Sequence, residues 1–309
     1  MKLSIVIPVY NSEKIIEELY LEINKALKKE VVYFEIIMVD DHSTDNSYER
    51  MIKLHKKNKN IKIIKLLRNF GQHNAIMCGF NFAEGGYIIT MDDDLQNPPK
   101  EIMKLFNEVK KGYDLVVGVP TQKKHRFTRN ILSKFITFLN NSILGIDKRI
   151  ERSNFRIYSK KLIKNIITIK SGYCYLPAFI NQFISYDRVS VIEVEHNISK
   201  LDKTRYNLFR LLKLTSNLII NYSSLPLRLV AIFGFLASFF SVIYGIYIII
   251  RKLFINPEII TGWPSMIVLT SFIGGLILFS LGVIGEYLKR IIKEISFSEQ
   301  YIIEEKRIN

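Results

Sequence analysis

Short apolar segments alternate with longer segments of helical period over residues 1 to about 120. The longer segments, residues 12–29, 44–58, 72–83 and 98–111, place apolar residues on one helical face. The apolar segments read LSIVIPVY, FEIIMVDD, IKIIKLL, YIITMDDD and DLVVGV. Nearly continuous apolar strands that alternate with helices are typical of a parallel sheet covered on both faces. The pattern predicts an α/β domain with a Rossmann-like, mostly parallel sheet, in which Ser12 caps the first helix and Pro98 and Pro99 begin the fourth.

Two long segments near the C-terminus contain no charged residue. The first is residues 229–250, which as a helix would be ~33 Å long, enough to cross the hydrocarbon core of a bilayer. The second lies between Glu258 and Glu286, with its most apolar part at 266–284. Two buried helices of a large soluble fold are the alternative. Neither segment is N-terminal, which argues against a signal peptide.

Basic residues flank this predicted membrane hairpin on both sides, whereas its connecting loop carries only Arg251 and Lys252. The excess of Lys and Arg outside the loop predicts that both termini are cytoplasmic and that the protein is a multi-pass protein of the cell inner membrane. Residues 206–222 have an amphipathic pattern that suits the headgroup plane, or an ordinary surface helix. The predicted organisation is a cytoplasmic domain at 1–203, a juxtamembrane segment at 204–224, a transmembrane hairpin at 225–288 and a cytoplasmic tail at 289–309.

The chain of 309 residues has a formal net charge of +15, which indicates an anionic partner such as nucleic acid, anionic lipid or a phosphorylated substrate. No aromatic-basic platform or DNA-binding motif supports nucleic acid. The two cysteines, Cys78 and Cys174, exclude a disulfide-stabilised scaffold and are predicted to be free thiols.

Polar residues follow every strand of the predicted sheet, at the edge where such sheets bind ligands. Asp92, Asp93 and Asp94 follow the fourth strand, and their mutual repulsion would be relieved by a divalent cation. Oxygen ligands from Asp92, Asp94 and Gln96 suit Mg²⁺ or Mn²⁺ bound together with a diphosphate. A solvated acidic turn is the alternative. Asp40 and Asp41, after the second strand, either bind a base or ribose or cap the next helix.

Several common site motifs are absent from the sequence. No G-x-G-x-x-G follows the first strand and no G-x-x-x-x-G-K-[ST] occurs, which argues against dinucleotide-binding and P-loop proteins. The sequence also lacks H-E-x-x-H and G-x-S-x-G, so zinc-protease and serine-hydrolase chemistry has no support.

The motifs IVIPVYN, VDDHSTD, RNFGQHNA and MDDDLQNPP, in this order, resemble glycosyltransferase family 2 with its GT-A fold. The downstream motifs GVPTQKKH, SNFRIYSKK, PLRLV and GVIGEYLKRI narrow the resemblance to the polyprenyl-phosphate glycosyltransferases, membrane enzymes related to dolichyl-phosphate mannose synthase and to bactoprenol glucosyltransferases. The resemblance covers nearly the whole chain. It implies a nucleotide-sugar donor, a UDP-sugar with glucose as the first expectation, and a polyprenyl-phosphate acceptor such as undecaprenyl phosphate.

The resemblance also implies roles for individual residues. Pro8 and Tyr10 would flank the base, Asp40 or Asp41 would bind it, and Arg156 would contact a phosphate. Many relatives have Glu directly after VYN, whereas here Ser12 intervenes and the nearest acid is Glu13. The full predicted donor set is Pro8, Tyr10, Asn11, Glu13, Asp40, Asp41, Gly71, Asp92 and Asp93.

The chemistry of the expected acceptor sets further expectations. A phosphate monoester, with a second pKa of ~6, is already a nucleophilic oxyanion at neutral pH, so a strong general base is not required. Asp94, Arg156 and, as a possible base, Glu151 are the predicted catalytic residues, and direct displacement would invert the anomeric centre. The basic residues expected to bind the acceptor phosphate are Lys123, Lys124, Arg126 and Arg205.

Two other functions fit the sequence less well. A processive polysaccharide synthase of the same superfamily would carry Q-x-x-R-W before its spans, but the sole Trp is Trp263, at the second apolar segment. A catalytically idle scaffold would have no need of the acidic cluster.

The two apolar segments also carry small residues. Gly274, Gly275 and Gly282 offer small-residue faces through which the spans of two copies of the chain could associate.

Overall fold

The computed structural model describes residues 2–28, 33–121, 147, 149–171, 174–197, 225–254, 262–296 and 299–308. The chain divides into two compact units. The first consists of Met1–Asn207 together with Phe297–Asn309, and the second is Leu208–Ser296.

The first unit is built on an eight-stranded sheet with the strand order β7-β5-β6-β4-β1-β2-β3-β8. Strands β1, β2, β3 and β4 are mutually parallel, β5 is parallel to β7, and β6 and β8 are antiparallel to their neighbours. The mostly parallel α/β architecture predicted from the sequence is confirmed, including its first five strands. The strands are β1 (Lys2–Val9), β2 (Tyr33–Asp40), β3 (Ile61–Leu66), β4 (Tyr87–Thr90), β5 (Leu115–Pro120), β6 (Arg156–Ser159), β7 (Val189–Val194) and β8 (Ile303–Arg307).

Helices cover the sheet because the central strands are apolar on both faces; β1, for example, is buried from Leu3 to Val9. Helix α3 lies especially close to β1, since a Cβ at its Gly79 would approach Val6 Cγ1 to 2.3 Å. This close contact fixes the position of α3 relative to the strand ends. Among the described residues, this unit contains the helices α1 (Ile16–Lys28), α2 (Ser47–Lys57), α3 (Gln72–Asn81), α4 (Ile102–Val109), α5 (Lys160–Ile166) and α6 (Leu176–Phe183).

The first helix begins later than the sequence predicted. The carbonyl oxygen of Ser12 accepts hydrogen bonds from the Ile15 and Ile16 amides, but the Ser12 hydroxyl donates to Asp93 instead of capping the helix. Residues 12–15 form an irregular turn before α1. The fourth helix does begin at the two prolines, through a short 3₁₀ turn at Pro99–Glu101 that runs into α4.

The C-terminal segment returns to the sheet, which the sequence did not predict. Strand β8 pairs antiparallel with β3, and the Leu67 amide donates to the Ile302 carbonyl at 2.9 Å. The hydroxyl of Tyr301 accepts a 2.9 Å hydrogen bond from Asn81 Nδ2, at the end of α3. Residues far apart in the chain therefore complete one edge of the sheet and support α3.

The second unit contains two long helices, α7 (Leu225–Phe254) and α8 (Trp263–Ser296). Pro226–Tyr247 and Phe272–Lys289 are long and apolar enough to cross a membrane, and neither stretch is buried inside the protein. Phe235 and Leu278, for example, are 70% and 71% exposed. Core helices of a soluble fold would bury such side chains, so this alternative loses its support. The predicted amphipathic segment at 206–222 lies outside the described residues.

Candidate active site

A cleft of about 400 Å³ lies at the carboxyl ends of four neighbouring strands. This volume is within the range of small-ligand sites. Its lining comes from the ends of β1, β2 and β4 and from the turn between β3 and α3. The lining residues are Pro8, Val9, Tyr10, Asp41, Asn69, Gly71, Gln72, Asp92, Asp93 and Asp94.

The position of the cleft follows from the order of the strands. The chain proceeds from β1 through β2 to β3 on one side of β1, and then places β4 on the other side. Helix α1, which follows β1, packs on one face of the sheet in the same core cluster as α2 and α4. Helix α3, which follows β3, packs against Val6 and Val39 on the other face, and this change of face leaves a crevice at the ends of β1 and β4. The residues after β1 and β4, including Tyr10 and the three aspartates, lie at this crevice.

The three consecutive aspartates have different hydrogen-bond partners. Asp92 accepts a hydrogen bond from the side-chain amide of Gln72, the first residue of α3. Asp93 accepts from the Tyr10 amide at 3.2 Å and from the hydroxyl of Ser12. Asp94 accepts from the backbone amide of Gln96 at 3.0 Å. The cluster is therefore connected to the β1 loop, to α3 and to its own turn.

The electrostatics of the cluster oppose full ionisation. Burial, together with the charges of Asp94 and Asp93, raises the pKa of Asp92 to about 7. Burial likewise raises the pKa of Asp93 to about 6, against the effect of its hydrogen bonds to Ser12 and Tyr10. Carboxylates held together in this way are stabilised by a nearby positive charge.

The donor set fits a divalent cation that is bound together with a phosphorylated ligand. Among the described residues, no three His, Cys, Asp or Glu side chains form a complete metal-binding group. Asp93 is engaged by the β1 loop, which leaves Asp92 and Asp94 as the available carboxylates. Mg²⁺ is commonly held by one or two carboxylates plus substrate phosphates, so two carboxylates at a cleft satisfy this chemistry. Mn²⁺ accepts the same oxygen ligands.

Three loops at the strand ends contain a non-glycine residue with a left-handed backbone. These residues are Asn11 after β1 (φ 54°), His42 after β2 (φ 61°) and Leu95 after β4 (φ 58°). Such conformations cost free energy and persist only where the surroundings hold them. At Asn11 the support is visible, because its side-chain oxygen accepts a 2.8 Å hydrogen bond from the Thr44 amide. The β1 and β2 loops are thus fastened to each other.

The predicted donor residues fall into two groups. Pro8, Tyr10, Asp41, Gly71, Asp92 and Asp93 line the cleft, and Asp94 lines it with them. The others contact the loop after β2 and are not among the lining residues. Asn11 binds Thr44, Glu13 accepts from the backbone and side chain of Asn46 at 3.0 Å each, and Asp40 accepts from the Ser43 amide at 3.2 Å.

Two other predicted residues lie close to the cleft without lining it. Gln96 contributes its backbone amide to Asp94, while its carbonyl accepts from the Asn197 amide at 2.8 Å. Arg156, on β6, is 1% exposed, and its Nε has no hydrogen-bond partner among the described residues. Its charge acts on both Asp92 and His73, and burial together with this charge lowers the pKa of His73 to about 4. A buried guanidinium with an unused donor is suited to an anion.

The remaining predicted residues lie largely outside the described part of the chain. Glu151 belongs to a short 3₁₀ turn, Ile150–Arg152, but its side chain is not described. The four basic residues predicted to bind the acceptor phosphate lie outside the described residues altogether. They are Lys123, Lys124, Arg126 and Arg205.

Two residues that hold the acidic cluster were not predicted to do so. Gln72 binds Asp92, and the Ser12 hydroxyl binds Asp93. Both follow a strand by a few residues, as the predicted site residues do, and this position was the available signal. Asp92 lies 20 positions after Gln72, and Asp93 lies 81 positions after Ser12. These hydrogen bonds could therefore be identified only from the folded structure.

The fold and the cleft define a class of protein: an α/β domain with an acidic cleft at the carboxyl ends of its parallel strands. Similarity to known proteins makes the class specific. Residues 4–167 match the family described as Glycosyl transferase family 2. The chain belongs to this family and is a glycosyltransferase.

Full-length relatives extend the match through the apolar helices. The uncharacterized glycosyltransferase YkcC of Bacillus subtilis is 32% identical over 97% of this chain and 93% of its own length. Undecaprenyl-phosphate 4-deoxy-4-formamido-L-arabinose transferases are 31% identical in Serratia proteamaculans and 32% in Yersinia pestis, each over 98% of this chain and 93% of the relative.

A solved structure supports the GT-A-like fold. Glucosyl-3-phosphoglycerate synthase from Mycobacterium tuberculosis, crystallised with Mn²⁺, uridine diphosphate and glucosyl-3-phosphoglycerate, aligns with a TM-score of 0.52 at 16% identity. The alignment covers 71% of this chain and 77% of that one.

Proposed function

We propose that this glycosyltransferase moves a sugar from a nucleoside diphosphate to a polyprenyl phosphate at the cytoplasmic face of the cell membrane. The observation that carries the proposal is one chain that combines an acidic cleft at the β1–β4 switch point with two unburied apolar helices. The names of the full-length relatives, which specify undecaprenyl phosphate, support the same acceptor class.

The donor nucleotide is proposed to extend along the cleft from the β1 and β2 ends to the aspartates. Tyr10, 48% exposed at the end of β1, offers a ring on which a base can stack. Asp41 lines the same end and offers acceptor oxygens to a base or ribose. Asp92 and Asp94 then face the diphosphate. The Mn²⁺ and uridine diphosphate bound by the Mycobacterium tuberculosis neighbour make a UDP-sugar with a divalent cation the first donor to test.

The chemistry needs charge stabilisation and alignment more than proton transfer. The acceptor phosphate is ionised near neutral pH and attacks the anomeric carbon directly, which inverts its configuration. A divalent cation at Asp92 and Asp94 would neutralise charge on the departing diphosphate. Arg156 provides a fixed positive charge beside this cluster, and Lys123, Lys124, Arg126 and Arg205 remain the proposed acceptor contacts. A general base at Glu151 is not required by this scheme.

The membrane helices are proposed to bring the cleft to its lipid substrate. A polyprenyl chain stays in the bilayer, so an enzyme that uses it has to work at the headgroup plane. Strand β8 follows the second apolar helix, and its partner β3 precedes the first. Backbone pairing across a bilayer is impossible, and two crossings return the chain to its starting side. This argument supports one common side for the segments before and after the hairpin, and the excess of Lys and Arg outside the connecting loop favours the cytoplasm as that side.

The sugar has two candidates. Glucose was the expectation from the sequence, whereas two of the full-length relatives carry 4-deoxy-4-formamido-L-arabinose in their names. We propose the modified pentose as the first candidate, because those relatives match over 98% of this chain.

A donor panel tests the proposal. Purified full-length protein in detergent is incubated with undecaprenyl phosphate, Mn²⁺ and one donor at a time: UDP-glucose, UDP-4-deoxy-4-formamido-L-arabinose, other UDP-sugars, GDP-sugars and dTDP-sugars. Mass spectrometry of the lipid fraction should find one sugar added per lipid phosphate with one of these donors. A polymer would favour a processive synthase, and the absence of any lipid product across the panel would reject the proposal.

A further inference from the structure

Helix α3 begins at a tightly held turn on the rim of the cleft. The two side-chain oxygens of Asp41 accept hydrogen bonds from the Phe70 amide at 2.7 Å and the Gly71 amide at 2.8 Å. Gly71 has a φ of 89°, a conformation in which a side chain would be strained. Asn74 closes the turn from the other side through a 2.7 Å hydrogen bond to the Phe70 carbonyl. These hydrogen bonds hold the backbone just before Gln72, so the position from which the Gln72 side chain extends is fixed.

Gln72 extends from that point to Asp92. Its amide Nε2 donates to Asp92 Oδ1, and no other hydrogen bond to Asp92 is formed by the described residues. One carboxylate oxygen is thereby occupied, while the other stays free at the cleft. Gln72 itself lines the cleft beside the three aspartates.

The chemical type of Gln72 suits this position. An amide stabilises an ionised carboxylate by donating a hydrogen bond, and it adds no positive charge that would repel a cation. A lysine in its place would compete with a metal ion for Asp92, and a glutamate would add a fourth negative charge. Partners that orient metal-binding carboxylates typically contribute 10–100-fold to metal affinity.

We propose that Gln72 is a positioning residue that orients Asp92 for a divalent cation, and that the Asp41-held turn sets the direction of its side chain. This inference rests on the proposed function, because the cation is the one required there for the donor diphosphate. It predicts that a variant without the Gln72 side-chain amide binds the cation more weakly but stays folded.

The Mn²⁺ affinity of the protein tests this role of Gln72 without requiring sugar transfer. The detergent-solubilised full chain is titrated with Mn²⁺ in the presence of UDP, and in parallel with GDP, and the free ion is followed by electron paramagnetic resonance. Gln72→Met keeps the side-chain length and removes the donor, and we expect its Mn²⁺ affinity to fall at least tenfold. Gln72→Asn keeps the amide one methylene short of Asp92 and should also bind Mn²⁺ more weakly than the wild type.

The matched control is Gln182→Met, the same substitution at an exposed glutamine of α6, which should bind Mn²⁺ as the wild type does. Thermal unfolding checks that all variants are folded. Equal Mn²⁺ affinity in Gln72→Met and the wild type would overturn the role of Gln72 while leaving the proposed function intact. A wild-type protein that binds no Mn²⁺ with either nucleotide would instead reject the cation itself, and this inference with it.

Discussion

The three neighbouring aspartates illustrate how residues adjacent in sequence acquire separate tasks. Asp93 is fastened to the β1 loop, whereas Asp92 and Asp94 remain available at the cleft. The sequence predicted a cation site from the repulsion among the three carboxylates. It already left Asp93 out of the predicted metal ligands, but it could not identify Ser12 and the Tyr10 amide as the partners of Asp93, because only the folded sheet brings them close.

Asp94 is the most direct test of the acidic cluster. Asp94→Asn removes a negative charge that faces the cleft, so we expect sugar transfer to fall at least 100-fold, in keeping with the loss of electrostatic stabilisation in other enzymes. The protein should still insert into membranes. Transfer is measured by the lipid-product assay, with Asp187→Asn, at an exposed turn of the same unit, as the matched control. Normal turnover of Asp94→Asn with Mg²⁺ would rule out the role in cation binding.

The raised pKa values of Asp92 and Asp93 predict a pH-dependent stability of the metal-free protein. Both carboxyls have a pKa above 3.8 in the folded state, at about 7 and about 6. The folded state therefore binds more protons than the unfolded state between these values and 3.8, and stability falls as the pH rises through this window.

Asp92→Asn removes one of these ionisations, so the unfolding temperature of the variant should depend less on pH. At pH 8 we expect it to exceed that of the wild type by ~2–4 °C, the shift that ~1 kcal/mol produces in a domain of this size. Thermal unfolding in EDTA from pH 5 to pH 8 provides the measurement. Identical slopes for the two proteins would contradict the assigned cause.

At the scale of elements, the strands that are buried on both faces were the ones that the sequence predicted. Strands β1 to β5 were predicted because burial on both faces requires nearly continuous apolar sequences. Strand β6 has only four residues and begins with Arg156, so its sequence carries a weak signal. Strand β7, VSVIEV, is neither strictly alternating nor continuously apolar, because Ser190 and Glu193 interrupt it and Val191 and Ile192 are adjacent. Strand β8 reads IEEKR, and its pairing with β3 depends on contacts across more than 230 positions.

The C-terminal segment makes contacts that a truncation would remove. Without residues 299–309, β3 keeps β2 but loses β8 on its other edge, and Cys78 on α3 loses the Tyr301 side chain with which it interacts. We expect the truncated protein to unfold at a temperature several degrees lower and Cys78 to react faster with maleimide. Mass spectrometry of the labelled peptide measures the reactivity.

Tyr301→Phe is the companion variant to this truncation. It removes only the hydroxyl that accepts from Asn81, so its loss of stability should be near ~1 kcal/mol. A truncated protein with unchanged unfolding temperature and a protected Cys78 would show that the segment does not stabilise α3.

At the scale of the whole molecule, the charge pattern and the apolar helices predict one membrane topology, with both termini cytoplasmic. After Cys78 and Cys174 are replaced by alanine, a cysteine introduced at Asn256, between the two spans, should react with an impermeant maleimide applied outside the cell. A cysteine at Asn309 should react only after the membrane is opened. Labelling with the opposite pattern would overturn the proposed orientation, and labelling of both from outside would reject cytoplasmic placement of the C-terminus.

The order in which the ribosome produces the chain gives strand β8 a further consequence. Strand β3 leaves the ribosome before the two apolar helices, and strand β8, which covers the edge of β3, emerges only after both of them. Until then β3 presents unpaired backbone groups, which invite association with other chains. If the helical hairpin inserts into the membrane as proposed, completion of the sheet depends on that insertion, and a molecule whose hairpin stalls halfway keeps an open edge that quality-control proteases and chaperones can recognise.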